Sequence, residues 1–359
     1  MSRQEDGSGP ATAPGHGCLG GGLFIQEEKA MKRAILGMAG SMAVAAMVVG
    51  LGTSMPVAAQ SFPSKPLRII VPFPAGSVTE TFTRLIGENM EASLGQKVLT
   101  EARAGAGTEI GTKYVIGQPG DGYTLLLATP SLAIKSAQSK PPFDGRKDLL
   151  PVGQFNNSPL FVFVNANLPV KTGKELVEYA RANPGKLNMV NYGVGTLGHL
   201  MGELLVYKAG AQVVSVPFNG AVNAAIALAQ GNGDFGFNVM SPMKSLIQQG
   251  KVRVLATSTV DRDPTEPDVP SMTEAGVPNF NVASWSGFMV PVGTPRDVIV
   301  KLNAAIGASI KTPAVRTHFQ RVGIGLSADI STPEQFGAVV STTIDDFAKL
   351  IRDAKIEFD

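Results

Sequence analysis

Catalysis by side chains needs a nucleophile, an acid–base pair or a cluster of metal ligands, and this sequence offers few. Beyond residue 60 it holds two histidines, His199 and His318, with no second ligand-type histidine near either. His199 and Glu203 stand four apart, so they can share one helical face, but two ligands are too few for a metal site. There is no G-x-S-x-G elbow, no H-E-x-x-H and no G-x-x-x-x-G-K phosphate loop. The only cysteine, Cys18, lies near the N-terminus, which leaves the rest of the chain without a disulfide, thiol nucleophile or thiolate metal site. No catalytic residue, metal or cofactor is expected, and of the possible functions an exported α/β enzyme has the weakest support.

Two stretches speak to anions instead. In NYGVGTLGHL, Gly193, Gly195 and Gly198 form G-x-G-x-x-G at a helix start. A dinucleotide site would need an acidic residue about 20 positions later, where the sequence reads VVSVPFNG. The underlying physics survives without the nucleotide: glycine turns before a helix aim unpaired N–H groups and the positive dipole end at an anion. VPFPAGSVTETFTR, Val71 to Arg84, has the same character. Pro72 and Pro74 stiffen the exit from a strand, Gly76 permits close approach, and Ser77 or Thr79 can cap the following helix. Two such loops facing across a cleft would hold a carboxylate by charge-assisted bonds of roughly 1.5–3 kcal/mol each, with no arginine. The alternative is that both are ordinary Gly-rich turns of the fold.

The elements that must position these loops alternate between strand and helix. Leu67–Phe73, Lys97–Glu101 and Tyr123–Ala128 read as buried strands, and Thr79–Leu94 as a helix with Phe82, Leu85, Ile86, Met90 and Leu94 on one face. The pattern resumes at Leu160–Asn165 and continues with strands at Leu187–Asn191, Val213–Val216, Asp234–Val239 and Val252–Thr257, as a second parallel sheet. Helices are expected between them at Thr172–Asn183, Leu197–Ala209, Ala221–Gly231 and Pro242–Gln249. Ala283–Pro291 restarts a strand, and the last helix carries Phe336, Val340, Ile344, Phe347 and Ile351 on one stripe. Trp285 is either packing at the lobe junction or pocket lining. The chain thus reads as α/β with two doubly wound lobes: residues 60–163 plus 285–359 form lobe 1, and 164–284 form lobe 2.

The 31 Lys and Arg residues nearly balance 29 Asp and Glu, with no basic cluster, so a nucleic-acid partner is not expected. Met31-Lys32-Arg33, an apolar small-residue run from Ala34 to about Gly52, and Val57-Ala58-Ala59 have the layout of a signal peptide over 31–59. Gln60 would be the first mature residue. An uncleaved membrane anchor is the alternative, disfavoured by the many Gly, Ala and Ser residues. Residues 1–30 read as an extension, either upstream of the true start at Met31 or disordered.

The chain from about Ser61 to Phe358 resembles the Bug-type (TctC) extracytoplasmic solute receptors of tripartite tricarboxylate transporters. The resemblance rests on an ordered series of stretches: FPSKPLRIIVPFPAGSVTETFTRLI, EARAGAGTEIG, GDGYTLLLAT, LPVKTGKELVEYARANPGKLN, YGVGTLGHLMGELL, VPFNGAVNAAIALAQG and DVPSMTEAGVPNF followed by SWSGFMVPVGTP. It implies a two-lobed periplasmic binding protein fold of type II kind, each lobe a mostly parallel sheet flanked by helices, with a two-strand hinge that closes on the ligand. It implies binding without catalysis, in the periplasm, by a monomer. The ligand class is a small carboxylate: a di- or tricarboxylate, an amino acid or an aromatic acid. The partner is a two-subunit membrane permease, and a sensor kinase is the alternative output.

The same resemblance implies the ligand residues. They are Phe73, Ala75, Gly76, Ser77, Thr79 and Glu80 in the first loop, and Tyr192, Gly193, Val194, Gly195, Thr196 and His199 in the second. Thr129, Ser131 and Asn238 border the pocket, or serve as helix caps and turn residues. Departures from the family pattern fall at Gly76-Ser77-Val78-Thr79-Glu80, at Gly105-Ala106-Gly107-Thr108, at Phe218-Asn219-Gly220 and at Asn238, where an acid is common. The neutral Asn238 is expected to disfavour amino acids.

Overall fold

Short apolar runs closed by turn residues become buried strands here, and the order in which they pair creates the cleft. The computed structural model describes residues 62–278 and 280–356 together with Phe358. The signal sequence and the 1–30 extension lie outside the described residues. One sheet contains β1 (Leu67–Val71), β2 (Val98–Ala102), β3 (Thr124–Ala128) and β4 (Leu149–Pro159). The other contains β5 (Phe161–Asn165), β6 (Asn188–Asn191), β7 (Val214–Pro217), β8 (Phe235–Asn238) and β9 (Val252–Thr257), and β10 (Ala283–Pro291) returns to the first. The strand orders are β2-β1-β3-β10-β4 and β7-β6-β8-β5-β9.

These orders give each lobe the mostly parallel sheet expected for it, with one reversed strand in each. Both sheets are mixed. β2, β1 and β3 are parallel, while β10 is antiparallel to β3 and β4. Likewise β7, β6 and β8 are parallel, while β5 opposes β8 and β9. In each sheet four strands run one way, and the reversed strand is the one that enters from the other lobe. Its backbone is satisfied on both sides, so each crossing is anchored between two neighbouring strands and not at a sheet edge.

The helices follow the strands: α1 (Val78–Leu94), α2 (Glu109–Ile116), α3 (Pro130–Ser136), α4 (Gly173–Ala182), α5 (Leu197–Ala209), α6 (Ala221–Ala229) and α7 (Lys244–Gln248). After β10 come α8 (Arg296–Ile310), α9 (Pro313–Val322) and α10 (Pro333–Asp353). α1 shows the local logic. The Ser77 side chain caps the Glu80 N–H, Phe82, Ile86, Met90 and Leu94 bury one stripe, and left-handed Gly95 ends the helix. α10 opens with a capping box between Thr332 and Gln335 and buries the five-residue stripe expected for it. Each of those side chains contributes about 1.5–3 kcal/mol by leaving water. The C-terminal helices do return to the first lobe: Ser309 Oγ on α8 bonds the Ile86 carbonyl of α1 at 2.8 Å. The Trp285 ring meets Phe336 of α10 edge-on at 5.3 Å, a packing role.

The two crossings meet at one buried serine. Ser258 donates its N–H to the Leu160 carbonyl (2.8 Å) and accepts the Val282 N–H (2.8 Å). Its hydroxyl accepts the Leu160 N–H (2.9 Å) and donates to the Val282 carbonyl (2.7 Å). Strand pairing therefore sets the lobe boundaries at Leu160 and Val282. Phe161–Phe163, expected in lobe 1, pair with β8 and β9 of lobe 2, and Ala283 and Ser284, expected in lobe 2, pair with β4.

Candidate functional site

Parallel strands with helices behind them leave their carboxyl ends, and the helix starts that follow, at one edge of each sheet. Here the starts of α1 at Ser77, α3 at Thr129, α5 at Thr196 and α6 at Gly220 come together between the lobes. The result is two adjoining chambers that share Phe73, Pro74, Tyr192 and Gly220. The inner chamber, against the hinge, measures about 100 Å³. The outer one measures about 410 Å³.

The inner chamber is lined by hydroxyls from two helix starts and by polar side chains from the hinge strands. Ser77, Thr79, Thr129 and Ser131 come from β–α junctions; Asn156, Ser158, Ser284 and Ser286 come from β4 and β10. The hinge residues form cross-strand pairs, Ser284 opposite Ser158 and Ser286 opposite Asn156, and so point to one face. Asn156 and Ser158 also bond the Gly325 backbone, drawing the loop after α9 to the chamber wall. Phe73, Phe82, Phe161 and Met240 supply apolar walls. No Asp, Glu, Lys, Arg or His lines it. Its one titratable group is Tyr192, whose phenol is pushed up by burial and stays neutral. Such a site offers positive helix ends and hydroxyls to an anion, and no carboxylate to a cation.

The glycine-rich loop works differently from the sequence expectation. Gly193 donates its N–H to Asn191 Oδ1 (3.0 Å), Gly195 to His199 Nδ1 (3.5 Å) and Gly198 to Tyr192 Oη (2.9 Å). All three glycine donors are used inside the protein. In the first loop, Gly76 N–H is likewise held by Glu80 Oε2 at 2.7 Å. The N–H groups of Val78, Thr79, Val194 and Leu197 make no hydrogen bond among the described residues. They are among the donors left open at the cleft.

Of the residues expected to bind, Phe73, Ser77, Thr79, Thr129, Ser131 and Tyr192 line the inner chamber. Phe73, Tyr192, Gly193, Val194 and Thr196 line the outer one. Ala75, Gly76, Glu80, Gly195, His199 and Asn238 line neither. Glu80 braces the first loop, where the Gly76 N–H, and secondarily Arg84, hold its carboxyl below the usual range against the opposing effect of burial. His199 is 5% exposed and packs edge-on to Phe358 at 5.6 Å. Burial lowers its pKa to about 4, so the neutral ring can accept the Gly195 N–H. Glu203, 3.6 Å from it, is raised by burial, and among the described residues no third ligand-type side chain joins the pair. Asn238 turns its amide back to the Ala221 carbonyl (2.9 Å) at the start of α6. This is the helix-start role that stood as its alternative. The hinge residues Asn156, Ser158, Ser284 and Ser286 are not among the residues expected from sequence, and only the pairing of β4 with β10 brings them together.

The lobes touch around the outer chamber. A Cβ on Gly220 would lie 3.3 Å from Pro74 Cγ, and one on Gly107 would collide with the Val194 carbonyl oxygen.

The sequence matches the family model of the tripartite tricarboxylate transporter family receptor, TctC, over residues 82–353. Protein BugT of Bordetella pertussis is 32% identical over 305 residues, 84% of this chain and 93% of that protein. The structure of the periplasmic binding protein BugD is similar with a TM-score of 0.76 and 30% identity, covering 82% of this chain and 99% of BugD. A Rhodopseudomonas palustris protein, MatC, with bound malate gives 0.75 and 28%, covering 81% of this chain and 100% of that one. An R. palustris protein with adipate gives 0.76 and 28%, covering 82% and 99%. With most of its length inside the family model and the same two-lobed architecture, this chain belongs to the TctC family of periplasmic solute-binding receptors, which are binding proteins and not enzymes.

Proposed function

We propose that this chain is a monomeric periplasmic receptor that seats one carboxylate of a small organic acid in the inner chamber, closes over it and delivers it to a two-subunit membrane permease. The observation that carries this reading is the chamber's lining: the starts of α1, α3, α5 and α6 with hydroxyls and no charged side chain. A carboxylate there meets the open N–H groups of Val78, Thr79 and Leu197 together with the Ser77, Thr129 and Ser131 hydroxyls. The malate and adipate bound by the two R. palustris neighbours favour the same ligand class. Export by a signal peptide over 31–59 is part of the same reading.

The test is a thermal and calorimetric screen of the protein from Gln60 against organic acids, amino acids and aromatic carboxylates. A ligand at a hundredfold excess over its Kd adds about 2.7 kcal/mol of stability. Stabilisation confined to carboxylates supports the reading. Stabilisation by neutral sugars or by cations, with none from any carboxylate, refutes it.

A further inference from the structure

Among the described residues, one charged side chain lines the outer chamber. Lys135, on α3, is only 8% exposed, yet it lines this chamber. Its ammonium group makes no hydrogen bond among the described residues, and the nearest carboxylate, Glu109, lies 3.8 Å away. Glu109 is already bound more closely by Lys113, at 2.7 Å. The trio therefore keeps a net positive charge, and its buried member faces the cleft. An ammonium taken from water without a hydrogen-bonded partner is unfavourable unless something else completes it.

A second orphan lies in the same wall. Thr108 is 4% exposed, lines the chamber, and its Oγ1 has no hydrogen-bond partner among the described residues. It occupies the cap position of α2 but does not cap it, because its backbone is left-handed, with φ at 83°. Lys135 lies across from the second lobe: a methyl placed on Gly195 would be 3.4 Å from its Nζ. A largely buried cation and a buried hydroxyl, neither with a hydrogen-bond partner among the described residues, border a chamber that adjoins the carboxylate pocket, and Lys135 is the only charged group lining it among the described residues.

We propose that Lys135 and Thr108 form a second anion subsite, which makes the receptor select solutes carrying two separated anionic groups over those carrying one. This rests on the carboxylate reading of the inner chamber. The first carboxylate sits against the helix starts, the chain of the solute passes the Phe73, Pro74 and Tyr192 walls, and the second anionic group takes the Lys135 ammonium and the Thr108 hydroxyl.

The test compares dicarboxylates with their monocarboxylate counterparts, succinate with butyrate, glutarate with pentanoate and adipate with hexanoate, by calorimetric titration of wild type, Lys135→Met, Lys135→Arg and Thr108→Val. Wild type binds at least one dianion more tightly than its partner, and Lys135→Met reduces that preference by roughly ten- to a hundredfold, as loss of a charge-assisted bond requires. Monoanion affinity stays unchanged. Thr108→Val lowers the preference by a smaller factor, and Lys135→Arg, with the charge retained, keeps most of it and shows that position 135 tolerates substitution. An unchanged preference in Lys135→Met overturns the subsite while leaving the carboxylate reading intact. Equal loss for both members of every pair also overturns it, assigning Lys135 to lobe contact alone. If wild type binds no carboxylate of either kind, both readings fall together.

Discussion

Gly107 allows lobe closure to be tested apart from fold stability. It sits in a turn of lobe 1 with φ 61° and ψ 42°, and Gly210, at the end of α5, has nearly the same backbone, φ 59° and ψ 35°. Alanine at either site carries the left-handed penalty of about 1–2 kcal/mol. They differ in what the added methyl meets. At Gly210 nothing lies within 4 Å; at Gly107 the methyl runs into the Val194 carbonyl oxygen of lobe 2 and comes within 3.1 Å of Lys135 Cε.

A ligand-free receptor escapes that clash by opening, so the collision burdens only the closed, ligand-bound form. Forcing a methyl into packed structure costs about 1–3 kcal/mol. Since only the closed form binds tightly, Gly107→Ala should weaken apparent affinity by roughly 5- to 150-fold, while Gly210→Ala leaves it alone. Urea denaturation without ligand should show the two variants losing similar stability, about 1–2 kcal/mol each. Calorimetric titration with the best carboxylate from the screen then separates them. Wild-type affinity in Gly107→Ala would refute the argument, because it would mean that the 105–108 turn and the Val194 loop do not meet when ligand is bound.

Three further outcomes follow from the geometry. Glu80→Gln removes the charge from the brace on Gly76 and should cost about 1.5–3 kcal/mol; because the Glu80 pKa is depressed in the fold, this contribution is full above the ordinary carboxylate pKa and disappears as pH falls through the folded value, so urea melts of wild type and variant should converge at low pH. His199 has a folded pKa of about 4 against an ordinary 6.5, so the unfolded chain binds a proton that the fold refuses, and stability should fall as pH drops from 6.5 to 4. At about 1.4 kcal/mol per pH unit the loss reaches roughly 3 kcal/mol, offset in part by Glu203, whose raised pKa acts the opposite way; His199→Gln should flatten the His199 share of the slope in melts taken across this range. Ser258→Ala leaves the Leu160 N–H and the Val282 carbonyl unpaired in a buried hinge, and chemical denaturation should register a loss of about 1–3 kcal/mol.

The strand–helix alternation and the amphipathic stripes of α1 and α10 could be read from the sequence, because apolar period and capping residues are local signals. β4 could not. LLPVGQFNNSP contains Pro151, Gly153 and two asparagines, all poor strand formers, and it is held extended by pairing along its whole length with β10, 124 or more residues away in sequence at every pair. Register shifts beside Gly287 and Met289 accommodate the irregular residues. The helix-start residues of the site, Ser77, Thr79, Thr129 and Ser131, were legible because capping chemistry is written next to the helix it starts. The hinge residues were not, since Asn156 and Ser286 become neighbours only once the chain has crossed lobes twice. Glu80, His199 and Asn238 were legible as polar residues beside the loops, but their internal partners were not: a polar residue beside a ligand loop can hold the loop as readily as the ligand, and here each makes a hydrogen bond within the protein.

That distinction bears on how the proposed seat, with no charged side chain lining the inner chamber among the described residues, would hold an anion and still release it. The glycines that give the loops their shape donate inward, to Glu80, Asn191, His199 and Tyr192, so the loops are fixed before any ligand arrives. The donors left open, at Val78, Thr79, Val194 and Leu197, then need little ordering on binding, which lowers the entropic cost of capture. Neutral donors at helix starts attract a carboxylate without the strong bidentate grip of an arginine, whose release would leave a buried charge unpaired. On the proposed reading, the solute's identity is decided beyond the first carboxylate, in the apolar walls and at Lys135. A carrier that must bind tightly enough to capture a solute and weakly enough to hand it over is served by this division: a shared neutral seat for the carboxylate and a separate place where solutes are told apart.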